Sequence, residues 1–232
     1  MIGPIPTRIR EFAKQNFSEL TEEIKAVCKD AGRNPEDITV VAVIKYMSDE
    51  QALALYESGI RDFAENYAQR LENRVKMMAD AGKGAAVKWH FIGQLQKNKI
   101  NRLLNLNVSL IHSIGSYALL QSIARRMDGK TVNCLLQVNF GLDKKDYGFA
   151  PGADLEKAVK FCQSRGIKCK GLMTIAPYTD DEKIIRKAFS MAKKQADGLG
   201  LAELSMGMSR DFKIAIEEGA TILRIGSYFM RN

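Results

Sequence analysis

Lys45 ends the apolar run Ile38-Thr39-Val40-Val41-Ala42-Val43-Ile44 and precedes Tyr46-Met47. A β-branched run of this kind reads as a strand buried on both faces. A lysine at its last position leaves the core at the strand's carboxyl end, the end that faces the active site in parallel α/β folds. The amine is then either a solvated strand end or a Schiff-base nucleophile. Two further segments carry groups suited to an anion, Ser205-Met206-Gly207-Met208-Ser209 and Gly226-Ser227. Small residues let backbone N–H groups approach a phosphate closely, hydroxyls add donors, and a helix starting near Ser209 or Arg210 would present its positive end. Read singly, Ser-x-Gly is also an ordinary turn, and Ser209 an ordinary N-cap. Arg224 lies two residues before Gly226, so alternation puts both on one strand face. From there it could meet a ring nitrogen, a carboxylate or a phosphate, or form an ion pair with a carboxylate such as Glu65.

Elements must bring these residues together. Apolar runs recur at 38–45, 61–65, 87–93, 109–114, 132–139, 169–175, 202–207 and 221–226, with helical patterns between them. Gly32, Gly59, Gly82, Gly129, Gly166, Gly200 and Gly219 fall where helices should end before strands. Ser48-Asp49-Glu50-Gln51 and Thr179-Asp180-Asp181-Glu182 have capping-box spacing. Strand–helix alternation repeated eight times in 232 residues points to an α/β chain folded as a single-domain (β/α)8 TIM barrel. A doubly wound open sheet is the alternative. Residues 1–35 form an extra N-terminal helical segment, and 36–232 form the barrel. Ile9, Phe12, Phe17, Leu20, Ile24, Val27 and Ala31 make one stripe on that helix, facing the barrel or a coiled-coil partner. The two anion-suited segments then follow strands seven and eight, where barrels often bind phosphate. The polar loop from Asn139 to Gly148 follows strand five and should sit at the barrel mouth.

A chain that is 46% hydrophobic can bury one sizeable core. No apolar stretch approaches the roughly 20 residues of a membrane span. The start, Met1-Ile2-Gly3-Pro4-Ile5-Pro6-Thr7-Arg8, has no apolar core of a signal peptide. Cys28, Cys134, Cys162 and Cys169 form no CxxC pair, and with only His90 and His112 beside them no metal site is expected. Free thiols suit a cytoplasmic protein. The net charge of +8 raises nucleic acid as a partner. Its densest stretch, Lys97-Asn98-Lys99-Ile100-Asn101-Arg102, lacks interleaved aromatics and reads as a solvated helix face, so no nucleic-acid partner is expected. A closed barrel leaves no sheet edge to pair, which favours a monomer.

Val41-Ala42-Val43-Ile44-Lys45 resembles the pattern V-A-V-S-K, and Phe63-Ala64-Glu65-Asn66-Tyr67 resembles F-G-E-N-Y. The run from Trp89 to Lys99, WHFIGQLQKNK, matches W-H-F-I-G-x-L-Q-x-N-K. Ile111-His112-Ser113, Gly171-Leu172-Met173, Leu204 to Ser209, and Arg224-Ile225-Gly226-Ser227 complete a set that runs in order along nearly the whole chain. Together they resemble the pyridoxal phosphate homeostasis protein family (YggS/PROSC-like), which is similar to the barrel domain of fold-type III alanine racemase. The resemblance implies pyridoxal 5′-phosphate (PLP) as cofactor, held as an internal aldimine on Lys45. It implies that Ser205, Ser209, Gly226 and Ser227 hold the phosphate and that Arg224 faces the pyridine nitrogen. It puts Asn66 near the cofactor and His90 in the pocket wall. Desolvation and a cationic neighbour such as Arg224 would favour the neutral amine that attacks an aldehyde. An arginine at the ring nitrogen leaves the ring a weak electron sink, which suits carrying PLP, or proton exchange at an amino acid's α-carbon.

Several positions depart from the pattern. Ile44 replaces its serine, Ala64 its glycine and Ser227 its threonine. After strand five many relatives have S-K-x-G, whereas Asp146 stands here at the lysine position, with Lys144 and Lys145 upstream as candidates for a second PLP contact. The function implied is intracellular PLP homeostasis, buffering the cofactor or delivering it to apo-PLP enzymes. The alternative is a PLP-dependent amino-acid racemase. Racemases of this fold take a second base from an added β domain, for which the five residues after Ser227 leave no room. A PLP-free barrel aldolase using Lys45 is a third reading.

Overall fold

The computed structural model describes residues 4–140 and 147–231. The barrel consists of eight parallel strands: β1 (Thr39–Val43), β2 (Asp62–Glu65), β3 (Lys88–Phe91), β4 (Leu110–Ile114), β5 (Val132–Gln137), β6 (Ile167–Met173), β7 (Glu203–Ser205) and β8 (Ile222–Ile225). Each pairs with the next in sequence, and β8 returns to β1 with Thr39 opposite Ile222 and Val41 opposite Arg224. The eight expected strands are therefore present and the sheet is closed, which excludes the open doubly wound alternative. The helices are α1 (Thr7–Asp30), α2 (Asp49–Glu57), α3 (Ala68–Asp80), α4 (Ile100–Asn105), α5 (Tyr117–Ala124), α6 (Ala153–Ser164), α7 (Glu182–Gly198) and α8 (Phe212–Glu217). A 3₁₀ turn, Ser227–Met230, follows β8.

Alternation along the strands builds two apolar regions. Val41, Val43, Ala64, Leu110, Leu135, Met173 and Ile222 form the cluster inside the barrel. Their neighbours on the opposite strand faces, among them Ala42, Phe63, Phe91, Leu136, Leu204 and Leu223, pack with the helices. Both faces are buried, which is why the strands read as continuous apolar runs. Helix α1 packs on α2, α8 and the 3₁₀ turn after β8, filling the place in the ring between the last helix and the first. Its most buried residues are Ala13, Asn16, Leu20, Ile24 and Cys28. Leu20 and Ile24 of the expected stripe are buried, Ile9, Phe17 and Val27 pack partly buried against the core, and Asn16 also faces in, donating to the carbonyl oxygens of Phe229 (3.4 Å) and Arg231 (3.2 Å).

The expected capping box at Ser48 forms: its side chain accepts from Gln51 N, and the Gln51 side chain accepts from Ser48 N. The one expected at Thr179 does not. Asp181 caps α7 by accepting from Lys183 N, and Thr179 instead accepts from Asp181 N. All four cysteines are free thiols. Among the described residues no helix is long and apolar enough to cross a membrane.

Candidate functional site

Val43 of β1 and Ala64 of β2 lie opposite one another and face the barrel interior. Two residues beyond this pair stand Lys45 and Asn66, so alternation aims both at the carboxyl-terminal mouth. Lys45 is half-buried. Its carbonyl oxygen accepts from Arg70 Nη1 at 2.8 Å, and its amine lies 4.8 Å from the centre of the Tyr46 ring. Asn66 is crowded from behind: a Cβ on Gly93 would fall 1.8 Å from its carbonyl oxygen, so only glycine permits the approach. The Asn66 Oδ1 is buried and has no hydrogen-bond partner among the described residues, leaving an amide oxygen short of a donor.

The loops after β7 and β8 meet. Ser209 Oγ accepts the backbone N–H groups of Gly226 (3.3 Å) and Tyr228 (3.1 Å). Ser209 is therefore not the N-cap of α8, which begins at Phe212 behind Asp211. Asp211 Oδ1 accepts from Met208 N at 2.6 Å, and burial raises the Asp211 pKa above the usual aspartate value against this bond and the nearby Arg224. Gly207 has φ +87°, and a Cβ there would lie 2.5 Å from the Ala215 side chain. The loop can thus fold tightly under the mouth only with glycine at this position.

Arg224 is 4% exposed. Its Nη1 donates to Ser205 Oγ at 2.8 Å and its Nη2 to the Thr174 carbonyl at 3.0 Å. Burial pushes its pKa down to about 10, with Asp211 acting in the opposite sense, so it remains charged at neutral pH. Glu65 is not its partner. That carboxylate accepts from Asn66 N (3.3 Å), lies 3.7 Å from Arg74 Nε, and has its pKa raised by burial.

Lys45, Ser209, Arg224, Gly226 and Ser227 all line one cavity of about 370 Å³, walled by Val43, Ile92, Ala176, Tyr178 and Met208. That size falls within the range of small-molecule sites, about 300–1,000 Å³. Three expected residues, Asn66, His90 and Ser205, do not line it. His90 is buried in the barrel, its Nδ1 2.9 Å from His112 Nε2 and its Nε2 2.9 Å from Asp62 Oδ1. Ser205 is fully buried, with its hydroxyl between Arg224 and His112 Nδ1, the latter at 2.9 Å. Both lie beneath the cavity because their strands turn them inward below the mouth. Lys144, Lys145 and Asp146 lie outside the described residues.

The model of the alanine racemase N-terminal domain matches residues 14–230. A pyridoxal phosphate homeostasis protein of Helicobacter pylori is 40% identical over 198 residues, covering 84% of this chain and 87% of that protein. One from Aquifex aeolicus is 33% identical over 223 residues, covering 93% and 96%. The chain belongs to the pyridoxal phosphate homeostasis protein family. Among solved structures, PipY of Synechococcus elongatus with PLP bound has a TM-score of 0.80 at 28% identity, covering 94% of this chain and all of that one.

Four residues beyond those expected support the site of this family member: Asp62, Arg70, His112 and Thr174. The first and third had a signal. Asp62 shares strand parity with Ala64 and Asn66, and His112 shares it with Leu110, so each points into the barrel. Arg70 sits on the exposed first turn of α3, and Thr174 acts through its carbonyl oxygen, which no side-chain pattern reveals.

Proposed function

We propose that this chain binds PLP in the cavity at the barrel mouth and serves PLP homeostasis, buffering the cofactor and delivering it to apo-PLP enzymes. The observation that carries the reading is that an amine, an arginine and a hydroxyl–glycine cup all line the same cavity. PLP offers an aldehyde for an amine, a phosphate for backbone and hydroxyl donors, and a ring nitrogen for a cation. Lys45 would supply the amine that meets the PLP aldehyde. Ser209, Gly226 and Ser227 take the phosphate, and Arg224 takes the ring side. Asn66 stands beside the cavity at the end of β2, and its buried Oδ1 lacks a donor among the described residues. Ser205 and His90 support Arg224 from below. Bound PLP supplies an electrophilic carbonyl that exchanges between amines; the residues of the chain bind, orient and partly shield it.

In this reading the chain acts as one PLP-binding unit, as a cytoplasmic monomer. The presence of PLP-bound PipY among its structural relatives supports the ligand. The test is to mix PLP-loaded protein with an apo-PLP enzyme and follow recovery of that enzyme's activity. Recovery faster than with an equal concentration of free PLP supports delivery. Recovery no faster removes delivery and leaves buffering.

A further inference from the structure

Beneath the cavity a continuous line of hydrogen bonds crosses the barrel. Asp62 opens β2, and its Oδ1 is 2.9 Å from His90 Nε2. His90 lies in register between Ala64 of β2 and Leu110 of β4, and its Nδ1 is 2.9 Å from His112 Nε2. The His112 Nδ1 is 2.9 Å from Ser205 Oγ, at the last residue of β7, and that oxygen receives Arg224 Nη1 at 2.8 Å. The line starts at the amino-terminal end of one strand and finishes at the carboxyl-terminal mouth. Among the described residues the only lysine or arginine within ion-pairing range of Asp62 is Lys88, with Nζ 3.9 Å from Oδ2.

With both imidazole rings neutral, the chemistry of the two ends fixes the direction of every bond. A carboxylate only accepts, so His90 Nε2 carries the proton. With a neutral ring, His90 Nδ1 is then a bare acceptor, and His112 must donate from Nε2. His112 Nδ1 is left bare and accepts the Ser205 O–H. The guanidinium only donates, and Ser205 Oγ has lone pairs free to receive it. Burial, helped by His90 and Arg224, keeps the His112 pKa well below its usual value, in keeping with a neutral ring. One proton arrangement satisfies every nitrogen and oxygen along the line, and a satisfied buried network holds its members in place.

We infer that Asp62, His90, His112 and Ser205 are positioning residues for Arg224, holding its guanidinium in one orientation beneath the cavity by a one-directional hydrogen-bond line anchored at the far end of the barrel. The consequence for the cofactor rests on the PLP reading. Arg224 meets the ring already oriented, and Asp62, which does not line the cavity, influences how PLP is held.

The chain has only two histidines, so nitrogen-15 NMR of the imidazole rings reads the line directly, without PLP. The expected spectrum is two neutral Nε2–H rings near pH 7, with slowly exchanging ring protons. Nδ1–H tautomers, or rings in free exchange with water, would overturn the inference whatever the protein binds. The second arm measures PLP affinity and the visible band in Ser205→Ala, Asp62→Ala and Asp62→Asn, with thermal melts to confirm folding. Ser205→Ala and Asp62→Ala should bind PLP about tenfold more weakly, with a displaced band, the loss expected for about one hydrogen bond. Asp62→Asn keeps an acceptor oxygen and should recover most of the affinity. Affinity and band unchanged in both alanine variants would overturn the positioning role even with the expected tautomers. Wild-type protein that fails to bind PLP would refute the proposed function instead, and the ring spectrum would still decide the line.

Discussion

Arg70 holds the main chain of Lys45: its Nη1 donates to the Lys45 carbonyl oxygen at 2.8 Å, tying the start of α3 to the turn that carries the amine. The guanidinium also lies 5.4 Å from the centre of the Tyr67 ring, so it is braced on its own helix. Because Arg70 is exposed, solvent competes for the bond and its contribution is near the low end for a charge-assisted contact, about 1 kcal/mol. Arg70→Ala should weaken PLP binding about threefold to tenfold while leaving the protein able to form its visible band. An absorbance titration measures both. Wild-type affinity in the variant would show that Lys45 needs no anchor from α3.

Ser209 joins the two loops of the phosphate cup through the N–H groups of Gly226 and Tyr228. Ser209→Ala should lower affinity for PLP about tenfold and leave affinity for pyridoxal, which lacks the phosphate, nearly unchanged. Fluorescence or absorbance titration with the two ligands separates the effects. Equal losses for both would place Ser209 away from the phosphate.

Gly207 and Gly32 both have positive φ, +87° and +65°, but only Gly207 is crowded. A Cβ at Gly207 meets Ala215 at 2.5 Å and Leu223 Cδ2 at 3.0 Å, whereas nothing lies within 4 Å of one at Gly32. Urea denaturation should show a loss of about 2–4 kcal/mol for Gly207→Ala, from strain and overpacking together. For Gly32→Ala the loss should be about 1–2 kcal/mol, from strain alone. Equal losses would mean that the loop under the cavity relaxes freely.

The fully buried His112 ring gives stability a pH dependence. Its folded pKa lies well below the ordinary 6.5, so the unfolded chain takes up a proton at pH values where the folded ring does not. This contribution is complete above about pH 6.5 and is lost as pH falls below it toward the folded value. Glu65 and Asp211, whose folded pKa values are raised, act in the opposite sense above their ordinary values. Thermal melts should therefore fall from pH 7 to pH 5 in the wild type, and fall less in His112→Gln. The same slope in both would assign the loss to other groups.

Much of the fold was legible because a closed parallel barrel buries both faces of its strands. Val40 to Ile44, or Leu110 to Ile114, could hardly be anything else between helical patterns. The start of β6 was missed because Lys168 and Lys170 are exposed there, and pairing of Val132 with Ile167 and Asn133 with Lys168 makes the strand instead. The Thr179 cap was misplaced by two residues because Asp181 also offers a side-chain oxygen and lies closer to the helix. In the candidate site, Lys45, Arg224 and the two loops were legible from strand ends and parity. The line from Asp62 to Ser205 was not, since His112 and Ser205 are 93 residues apart and meet only across the closed barrel.

Borohydride reduction followed by peptide mass spectrometry tests most directly whether Lys45 holds PLP. Protein mixed with PLP should turn yellow, lose the colour on reduction, and carry the phosphopyridoxyl group on the peptide containing Lys45. Lys45→Ala should stay colourless and take no such adduct. A wild-type protein that remains colourless with PLP, or an adduct found on another lysine with Lys45 unmodified, would contradict the account.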